Sequence, residues 1–243
     1  MRTSLLERLA LRVVETPPRF MSRTSMDDFV AWATLGVILG GRLGYVLFYK
    51  PGYYLSHPLE IFYVWQGGMS FHGGMLGVFF AMYLYARHHG FSFFALSDIV
   101  GASVPFGLFF GRIANFINVE LVGRPSDVPW AMVFPGDTIS RHPSQIYEAI
   151  LEGVVLLIIL KIVYSRESIR KKQGLVFCIF IACYGLFRSI CEIFREPDFS
   201  VGFLTSGQIY SFPMIAAGLI LGVIVCRRKI RSEERRVGKE CLR

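Results

Sequence analysis

The sequence predicts an all-α, polytopic integral membrane protein, a bundle of about six transmembrane helices with an ordered outer loop as a cap. Three observations support this fold class. The 243 residues are 53% hydrophobic, and their mean hydropathy is +0.47. Only 18% of them are charged, whereas soluble domains have about 25% charged residues. Several apolar stretches reach the roughly 20 residues that a helix needs to cross a bilayer.

The predicted spans are joined by short polar loops, and no repeat or low-complexity linker divides them. We therefore expect one transmembrane domain at 29–226, between a basic arm at 1–28 and a charged tail at 227–243. The arm does not resemble a signal peptide, because Arg12 interrupts its apolar stretch and no small-residue cleavage pattern follows. The six predicted spans cover roughly residues 29–49, 70–86, 93–118, 145–164, 174–194 and 207–226.

The distribution of charge predicts the orientation. Most of the 26 lysines and arginines lie in the N-terminal arm, in the loop after the fourth span and in the tail. An even number of spans then places both termini in the cytoplasm, in agreement with the positive-inside rule. This orientation and the attraction to anionic lipid account for the net charge of +8. The charge therefore gives no reason to expect a nucleic acid as partner.

The end of the third span carries polar residues that are costly in a membrane. The stretch FFGRIANFINVELVGRP at 109–125 contains Arg112, Asn115, Asn118 and Glu120. An arginine at the middle of a membrane helix costs about 2.5–3.5 kcal/mol on insertion scales, and such residues usually mark a function. The arginine fork suits a phosphate, and asparagine suits a hydroxyl or carbonyl group. The alternative is a structural network in which Arg112 pairs with Glu120 or another carboxylate.

The second span opens with GGMSFHGGMLG at 67–77, in which His72 precedes Gly73, Gly74 and Gly77. Small residues let another helix or a lipid head group approach the backbone closely. Two interpretations remain open for this stretch. The glycines and the histidine either form a helix-packing face with a structural histidine, or they contribute to a lipid site.

Two carboxylates enter the fourth span on one helical face. Glu148 and Glu152 are four residues apart, so they stack and need cationic partners or a proton. Arg42 and Arg188 are both candidate partners, and nothing in the sequence chooses between them. The preceding outer loop, 119–143, is rich in proline and contains a tryptophan, which predicts an ordered cap at the interface.

A third polar stripe lies at the end of the fifth span. Arg188, Glu192 and Arg195 follow one another at intervals of four and three residues. They form either a structural ion-pair ladder or a site in which Arg195 faces a lipid phosphate.

These groups together predict a site at the outer side of the membrane. The sequence contains no HExxH, GxSxG or Walker motif, and none of its five cysteines forms a CxxC or lies at metal-ligand spacing from a histidine. We therefore expect no metal and no cofactor. The implied chemistry is recognition of an anionic head group by arginines, with a histidine as proton carrier.

Five motifs in this order resemble those of the bacterial prolipoprotein diacylglyceryl transferases. The likeness extends from about residue 27 to residue 226. The motifs are ILGGRLGYVLFY at 38–49, WQGGMSFHGGMLG at 65–77, GRIANFINVELVG at 111–123, RHPSQIYEA at 141–149 and FREPD at 194–198.

The resemblance implies an inner-membrane enzyme with its site and loop cap toward the periplasm. Such enzymes move a diacylglyceryl group from phosphatidylglycerol to the lipobox cysteine of a prolipoprotein signal peptide, and they release glycerol phosphate. We expect membrane lipid to be a further partner. From the motifs and the polar clusters we expect His72, Arg112 and Arg195 to be catalytic, with His72 as the base. We expect the substrate-binding residues to be Arg112, Asn115, Asn118, Glu120, Gly123, Gly73, Gly74, Arg42, Tyr147, Glu148 and Glu192.

Two departures from the family pattern affect this expectation. The family has seven spans, and the first of them, which carries a tyrosine near the site, is not found here. The start of the chain is then either misassigned or truncated, or the protein works without that helix. The segment 231–243 resembles no family motif and is either a native cytoplasmic tail or a non-native addition.

Two other functions fit the same polar residues. A membrane transporter also carries arginine, glutamate and asparagine along its path, although transporters commonly show internal repeats and this chain shows none. An inactive, truncated lipid-binding relative is the second alternative, and it follows from the missing first span.

Overall fold

The computed structural model describes residues 23–90, 92–197, 200–201 and 204–240. The predicted N-terminal arm lies almost entirely outside these residues, as does the end of the tail. The described chain divides into two compact units, one before residue 97 and one from residue 97 onward. The single domain at 29–226 stays a prediction.

The first unit consists of two long antiparallel helices and a short helical connection. Helix α1 covers Arg23–Phe48 and helix α3 covers Phe71–His88. Between them lie the short helix α2 (Pro51–Ser56) and two 3₁₀ turns, Pro58–Phe62 and Val64–Gln66. Ser70 is the N-cap of α3, and its hydroxyl accepts a hydrogen bond from the Gly73 amide at 3.2 Å.

Glycines set the close packing of α1 on α3. A methyl group on Gly44 would lie 2.7 Å from Cα of Gly73, and one on Gly36 would lie 2.6 Å from the carbonyl oxygen of Gly77. In lipid, helices associate through such close backbone contacts rather than through the hydrophobic effect. The interpretation of Gly73 and Gly77 as part of a helix-packing face is therefore confirmed. Gly74 has ordinary clearance, 3.6 Å to the nearest atom.

The second unit is built from four long helical segments and small connecting elements. The continuous helical stretch 144–165 contains a π-helical turn between α5 and α6, which no sequence pattern indicated. The elements are α4 (Phe93–Ile117), β1 (Met132–Val133), β2 (Ser140–Arg141), α5 (Ser144–Glu148), the π turn (Ala149–Val155), α6 (Leu156–Ser165), α7 (Glu167–Arg170), α8 (Leu175–Cys191), β3 (Ser200–Val201), β4 (Leu204–Thr205) and α9 (Ser206–Glu240).

A small apolar core joins α4, α6 and α8. Its buried members are Ala102, Leu156, Leu160, Tyr164 and Val176. A buried carboxylate adds a polar link, because Asp98 of α4 accepts hydrogen bonds from the amides of Gly174 and Phe177 at 2.7 and 2.8 Å. Asp98 thereby satisfies amide groups at the start of α8 that have no partner within the helix.

The helices match the predicted spans, and two of them differ in their bounds. A helix lies at each of the six predicted positions, but by length and composition only α1, α4 and α9 qualify as candidate spans among the described residues, while α8 is a shorter apolar helix. Helix α1 begins at Arg23 instead of residue 29, and α9 continues to Glu240 through most of the predicted tail. The all-α class is confirmed, since the described strands are only two residues long. Many large side chains, such as Phe80, Ile158 and Leu219, stay exposed on the outer helix faces, as in helices that contact lipid.

Candidate functional site

The polar residues at the end of α4 meet those of the helical stretch 144–165. Nε of Arg112 lies 3.1 Å from a carboxylate oxygen of Glu148, and its Nη2 donates a hydrogen bond to Glu152 at 3.2 Å. The expectation that Glu148 and Glu152 share one face is thereby confirmed. The carboxylate partners of Arg112 are these two residues, and Glu120 is not one of them.

Helix α8 supplies the second half of this network. Arg188 pairs with the other oxygen of Glu148 and lies 3.8 Å from Glu152. It also reaches Glu192 at 3.0 Å, and Glu192 lies 3.8 Å from Arg195. The ion pairs expected among Arg188, Glu192 and Arg195 are present, and the role of Arg195 toward a lipid phosphate stays a prediction. Of the two candidate partners for the stacked carboxylates, the structure selects Arg188.

Burial makes this network an energetically demanding part of the protein. We call it the Arg–Glu network; its members are Arg112, Arg188, Arg195, Glu148, Glu152 and Glu192. The three glutamate side chains are fully buried, and those of the arginines are 15%, 12% and 8% exposed, respectively. Three positive and three negative groups balance formally, which is the condition under which buried charges are tolerated.

Local structure explains how these side chains converge. Glu148 ends α5 and Glu152 lies in the π turn. Single π turns within α-helices are frequent at functional sites because they re-aim side chains. A methyl group on Gly207, at the start of α9, would lie 2.4 Å from the Glu192 carboxylate, so that carboxylate would have to shift to make room. The Gly207 amide donates a hydrogen bond of 3.2 Å to that carboxylate.

The turn after α4 is strained. Val119 and Leu121 have φ angles of +59° and +56°, a region that β-branched and bulky residues rarely adopt. Each such residue costs about 1–3 kcal/mol and persists only where its surroundings impose it. Here Nε2 of Gln145 donates a hydrogen bond to the carbonyl oxygen of Glu120 at 2.6 Å, and the Ser144 hydroxyl donates to that of Leu121 at 3.1 Å.

The GRIANFINVELVG, RHPSQIYEA and FREPD motifs form one backbone clamp around Gly123. The Gly123 amide donates to the carbonyl oxygen of His142 at 3.1 Å, and Gly123 also forms a β-bridge with Arg195. The Arg124 amide donates to the carbonyl oxygen of Phe194 at 2.9 Å. A side chain on Gly123 would collide with His142 and with the Phe194 carbonyl oxygen. Gly123 thus lets the segments around 123, 142 and 195 approach one another, which fixes the backbone that carries Arg195.

Side chains of the outer loop reinforce the clamp. Arg141 donates to the carbonyl oxygen of Gly123 at 3.2 Å, and it pairs with Asp137 at 2.5 Å and with Glu196 at 2.7 Å. The guanidinium group of Arg141 lowers the pKa of the Asp137 carboxyl, and the Ile139 and Thr138 amides lower it further. The predicted ordered cap is therefore present within 119–143.

Tyr147 lies in an aromatic group beside this clamp. Its hydroxyl accepts a hydrogen bond from Nε1 of Trp130 at 2.7 Å and lies 3.1 Å from Nδ1 of His142. The Phe194 ring packs edge-on against both Tyr147 and His142. Tyr147 is held in place by residues of the loop and of the FREPD motif.

In the first unit, Arg42 binds backbone rather than carboxylates. Its guanidinium donates to the carbonyl oxygens of Glu60, Ile61 and Gly67 at 2.6–2.8 Å, with a longer bond of 3.3 Å to that of Gly68. It also lies 5.2 Å from the ring centroid of Tyr54. Arg42 therefore fixes the chain between α2 and α3, and its assignment as a substrate-binding residue stays a prediction.

His72 lies in the first turn of α3, directly after this segment. Its side chain is exposed, and its ring packs edge-on against that of Phe71 with centroids 5.7 Å apart. Asn118 and Glu120 of the second unit are also exposed, whereas Asn115 is half-buried. The catalytic and substrate-binding roles of these residues stay predictions.

Sequence reasoning did not select two members of the network as site residues. The sequence indicates Arg188 and Glu152 only as ion-pair partners, yet Arg188 touches all three glutamates. The signal was available in the sequence, because both residues are charged and lie inside apolar helices.

Comparison with known proteins gives a consistent result. The profile of a family described as prolipoprotein diacylglyceryl transferase matches residues 5–224. This match begins upstream of the motifs that first indicated the likeness.

Three relatives illustrate the degree of similarity. A phosphatidylglycerol–prolipoprotein diacylglyceryl transferase of Paramagnetospirillum magneticum is 53% identical over 226 residues, which cover 90% of this chain and 84% of that protein. The protein of the same name from Methylocella silvestris is 55% identical, covering 84% of this chain and 76% of the relative. The protein of that name from Geobacter sulfurreducens is 52% identical, covering 86% of this chain and 82% of the relative.

Proposed function

Since the chain belongs to the prolipoprotein diacylglyceryl transferase family, we propose that it transfers the diacylglyceryl group of phosphatidylglycerol to the cysteine thiol of a prolipoprotein. The products are a thioether-linked lipoprotein precursor and glycerol phosphate. The observation that carries this function is identity above 50% to transferases of that name over most of the chain. Neither a transporter nor an inactive lipid-binding protein is supported by these relatives.

Arg112 and Arg195 of the Arg–Glu network recognise the phosphate of the donor lipid. Nε and Nη2 of Arg112 are occupied by carboxylates, but among the described residues no acceptor lies at its Nη1. A partly exposed guanidinium that its carboxylates hold in place can offer this group to a phosphate at little cost in side-chain entropy. Arg195 has the same role, and the backbone of Arg195 is fixed by the Gly123 clamp.

The reaction is a displacement at carbon. His72 accepts the proton of the lipobox thiol, whose ordinary pKa near 8.5 leaves little thiolate at neutral pH. The thiolate sulfur attacks the glycerol carbon that bears the phosphate ester, so a C–S bond forms while the C–O bond breaks. The electron pair of that C–O bond leaves with glycerol phosphate. Arg112 and Arg195 stabilise the negative charge that develops there, an interaction that is stronger in the transition state.

The other predicted site residues support these three. Glu148 and Glu192 hold the arginines in position, and Gly123 and Glu120 shape the turn that the clamp holds. Asn115, Asn118 and Tyr147 supply hydrogen-bonding groups for the lipid glycerol and ester oxygens. Arg42, Gly73 and Gly74 set the position of the chain around His72.

The chain is a multi-pass membrane protein, and we place it in the bacterial inner membrane. Both termini then face the cytoplasm, and the end of α4 with its polar signature faces the periplasmic leaflet. The excess of lysine and arginine in the opposite loops supports this orientation.

A two-product assay tests the function. The purified full chain in detergent receives phosphatidylglycerol and a peptide with a lipobox cysteine. We expect glycerol phosphate to be released in equal amount to the peptide that gains the diacylglyceryl mass. A peptide with serine in place of the cysteine serves as control and yields neither product. Folded protein that releases no glycerol phosphate would contradict the proposal.

A further inference from the structure

The second unit has an apolar groove away from the Arg–Glu network. A groove of about 310 Å³ runs between α8 and the middle part of α9. Its walls are almost entirely apolar, and its lining includes Leu175, Cys178, Ala182, Gly222, Cys226 and Arg227. The groove begins at the first turn of α8, whereas the Arg–Glu network lies at the last turn. Because α8 has 17 residues, its first and last turns lie about 25 Å apart.

Two glycines of α9 give this groove its shape. A methyl group on Gly218 would lie 2.7 Å from the carbonyl oxygen of Cys178, so the helices touch there. At Gly222, one turn later, the nearest atom to such a group would be 3.7 Å away. The helices therefore diverge between Gly218 and Gly222, and the missing side chain at Gly222 leaves room for an alkyl chain.

The mouth of the groove carries two positive charges. Nζ of the half-buried Lys172 lies 3.8 Å from Sγ of Cys226, next to Arg227 at the edge of the groove. Within the described side chains, neither cation forms a salt bridge. The adjacent Lys171, by contrast, pairs with Glu167 at 2.6 Å. Basic pockets between membrane helices on the cytoplasmic side bind anionic lipid head groups.

We propose that the groove between α8 and α9 binds an anionic phospholipid of the leaflet opposite the transfer site. One acyl chain occupies the apolar groove over Gly222, and the phosphate lies between Lys172 and Arg227. This lipid is bound and not consumed, because the described lining of the groove is almost entirely apolar and its one charged residue, Arg227, lies at the edge.

Native mass spectrometry of the delipidated full chain tests the proposal. The probe is phosphatidic acid, with phosphatidylcholine of the same chains as the zwitterionic control. We expect Lys172→Gln together with Arg227→Gln to weaken phosphatidic acid binding about 30-fold, from about fivefold for each cation. Gly222→Leu fills the groove and weakens it by about tenfold or more. Lys171→Gln removes the same charge outside the groove and leaves binding unchanged.

The site of binding is tested independently of the variants. Phosphatidic acid with a photoreactive acyl chain is cross-linked to the wild-type chain, and we expect the label on peptides that contain Cys178 to Ala182 or Gly222 to Cys226. Equal binding of phosphatidic acid and phosphatidylcholine, or label confined to other peptides, overturns the proposal. Transfer activity is not the readout, so failure here leaves the proposed function untouched.

Discussion

Nε of Arg112 lies 3.1 Å from Oε2 of Glu148, and the other oxygen of the same carboxylate pairs with Arg188. One fully buried glutamate thereby joins the end of α4, the start of the helical stretch 144–165 and the end of α8. If this carboxylate were lost, Arg112 and Arg188 would each lose one of their ion pairs. Glu148 is therefore a structural requirement for the arginines that the proposed reaction uses.

Replacing Glu148 tests this dependence. We expect Glu148→Ala to destabilise the protein by about 3–5 kcal/mol, since it leaves two arginines buried without their shared partner. Glu148→Gln keeps the shape and should cost less in stability while still lowering transfer. Thermal unfolding in detergent and the transfer rate are measured together. The exposed Glu120→Gln is the matched control for stability, and an Ala variant as stable as this control would contradict the account.

Gly123 should not tolerate a side chain. We expect Gly123→Ala to destabilise the clamp by about 1–3 kcal/mol, because its methyl group would overlap His142 and the Phe194 carbonyl oxygen. Gly111→Ala lies in the same motif with no atom within 4 Å of the new methyl group, and it should be neutral or stabilising. Thermal unfolding of both variants provides the comparison, and equal melting temperatures would argue against the clamp.

The packing of α1 on α3 gives a third prediction. A side chain on Gly40 would collide with the Gly73 carbonyl oxygen and with Gly77. We expect Gly40→Val to separate the two helices and to lower the melting temperature, whereas Gly74→Ala, which has ordinary clearance, should have little effect. Disulfide cross-linking between cysteines introduced on the two helices reports their separation. Unchanged cross-linking in Gly40→Val would show that the glycine contact is not needed.

The Asp137 carboxylate should stabilise the segment 132–141 until strongly acidic conditions. The pKa of Asp137 is lower in the folded protein than in the unfolded chain, because Arg141 and two amides stabilise its charged form. The contribution of this carboxylate to stability is therefore fully present above the unfolded pKa of about 3.9. It is lost as the pH falls through the lower pKa of the folded protein. We expect hydrogen exchange in 132–141 to be unchanged between pH 7 and pH 5 once intrinsic rates are corrected. Asp137→Asn should speed hydrogen exchange in this segment at both pH values. Equal protection from exchange in the variant and the wild type would contradict the role of the carboxylate.

Much of the site could be predicted from the sequence, but the contacts between residues of different helices could not. Helical spacing was sufficient to place Glu148 beside Glu152 and Arg188 beside Glu192, because neighbours on one helix are a local property. The choice of Arg188 over Arg42 as the partner depends on how helices distant in the chain pack. The four backbone carbonyl groups that bind Arg42 belong to an irregular segment, whose course no periodic pattern predicts. The π turn at Glu152 likewise arises from tertiary packing that local propensity does not encode.

The central claim is that Arg112 stabilises the departing glycerol phosphate, and its direct test is the single-turnover transfer rate of Arg112→Gln. The matched control is Arg87→Gln, which removes an exposed arginine whose guanidinium binds only the Tyr83 hydroxyl among its described partners. We expect Arg112→Gln to lose about 10²–10³-fold in the rate of transfer at saturating phosphatidylglycerol, while Arg87→Gln stays near the wild-type rate. A folded Arg112→Gln protein that transfers at the rate of the control would contradict the claim.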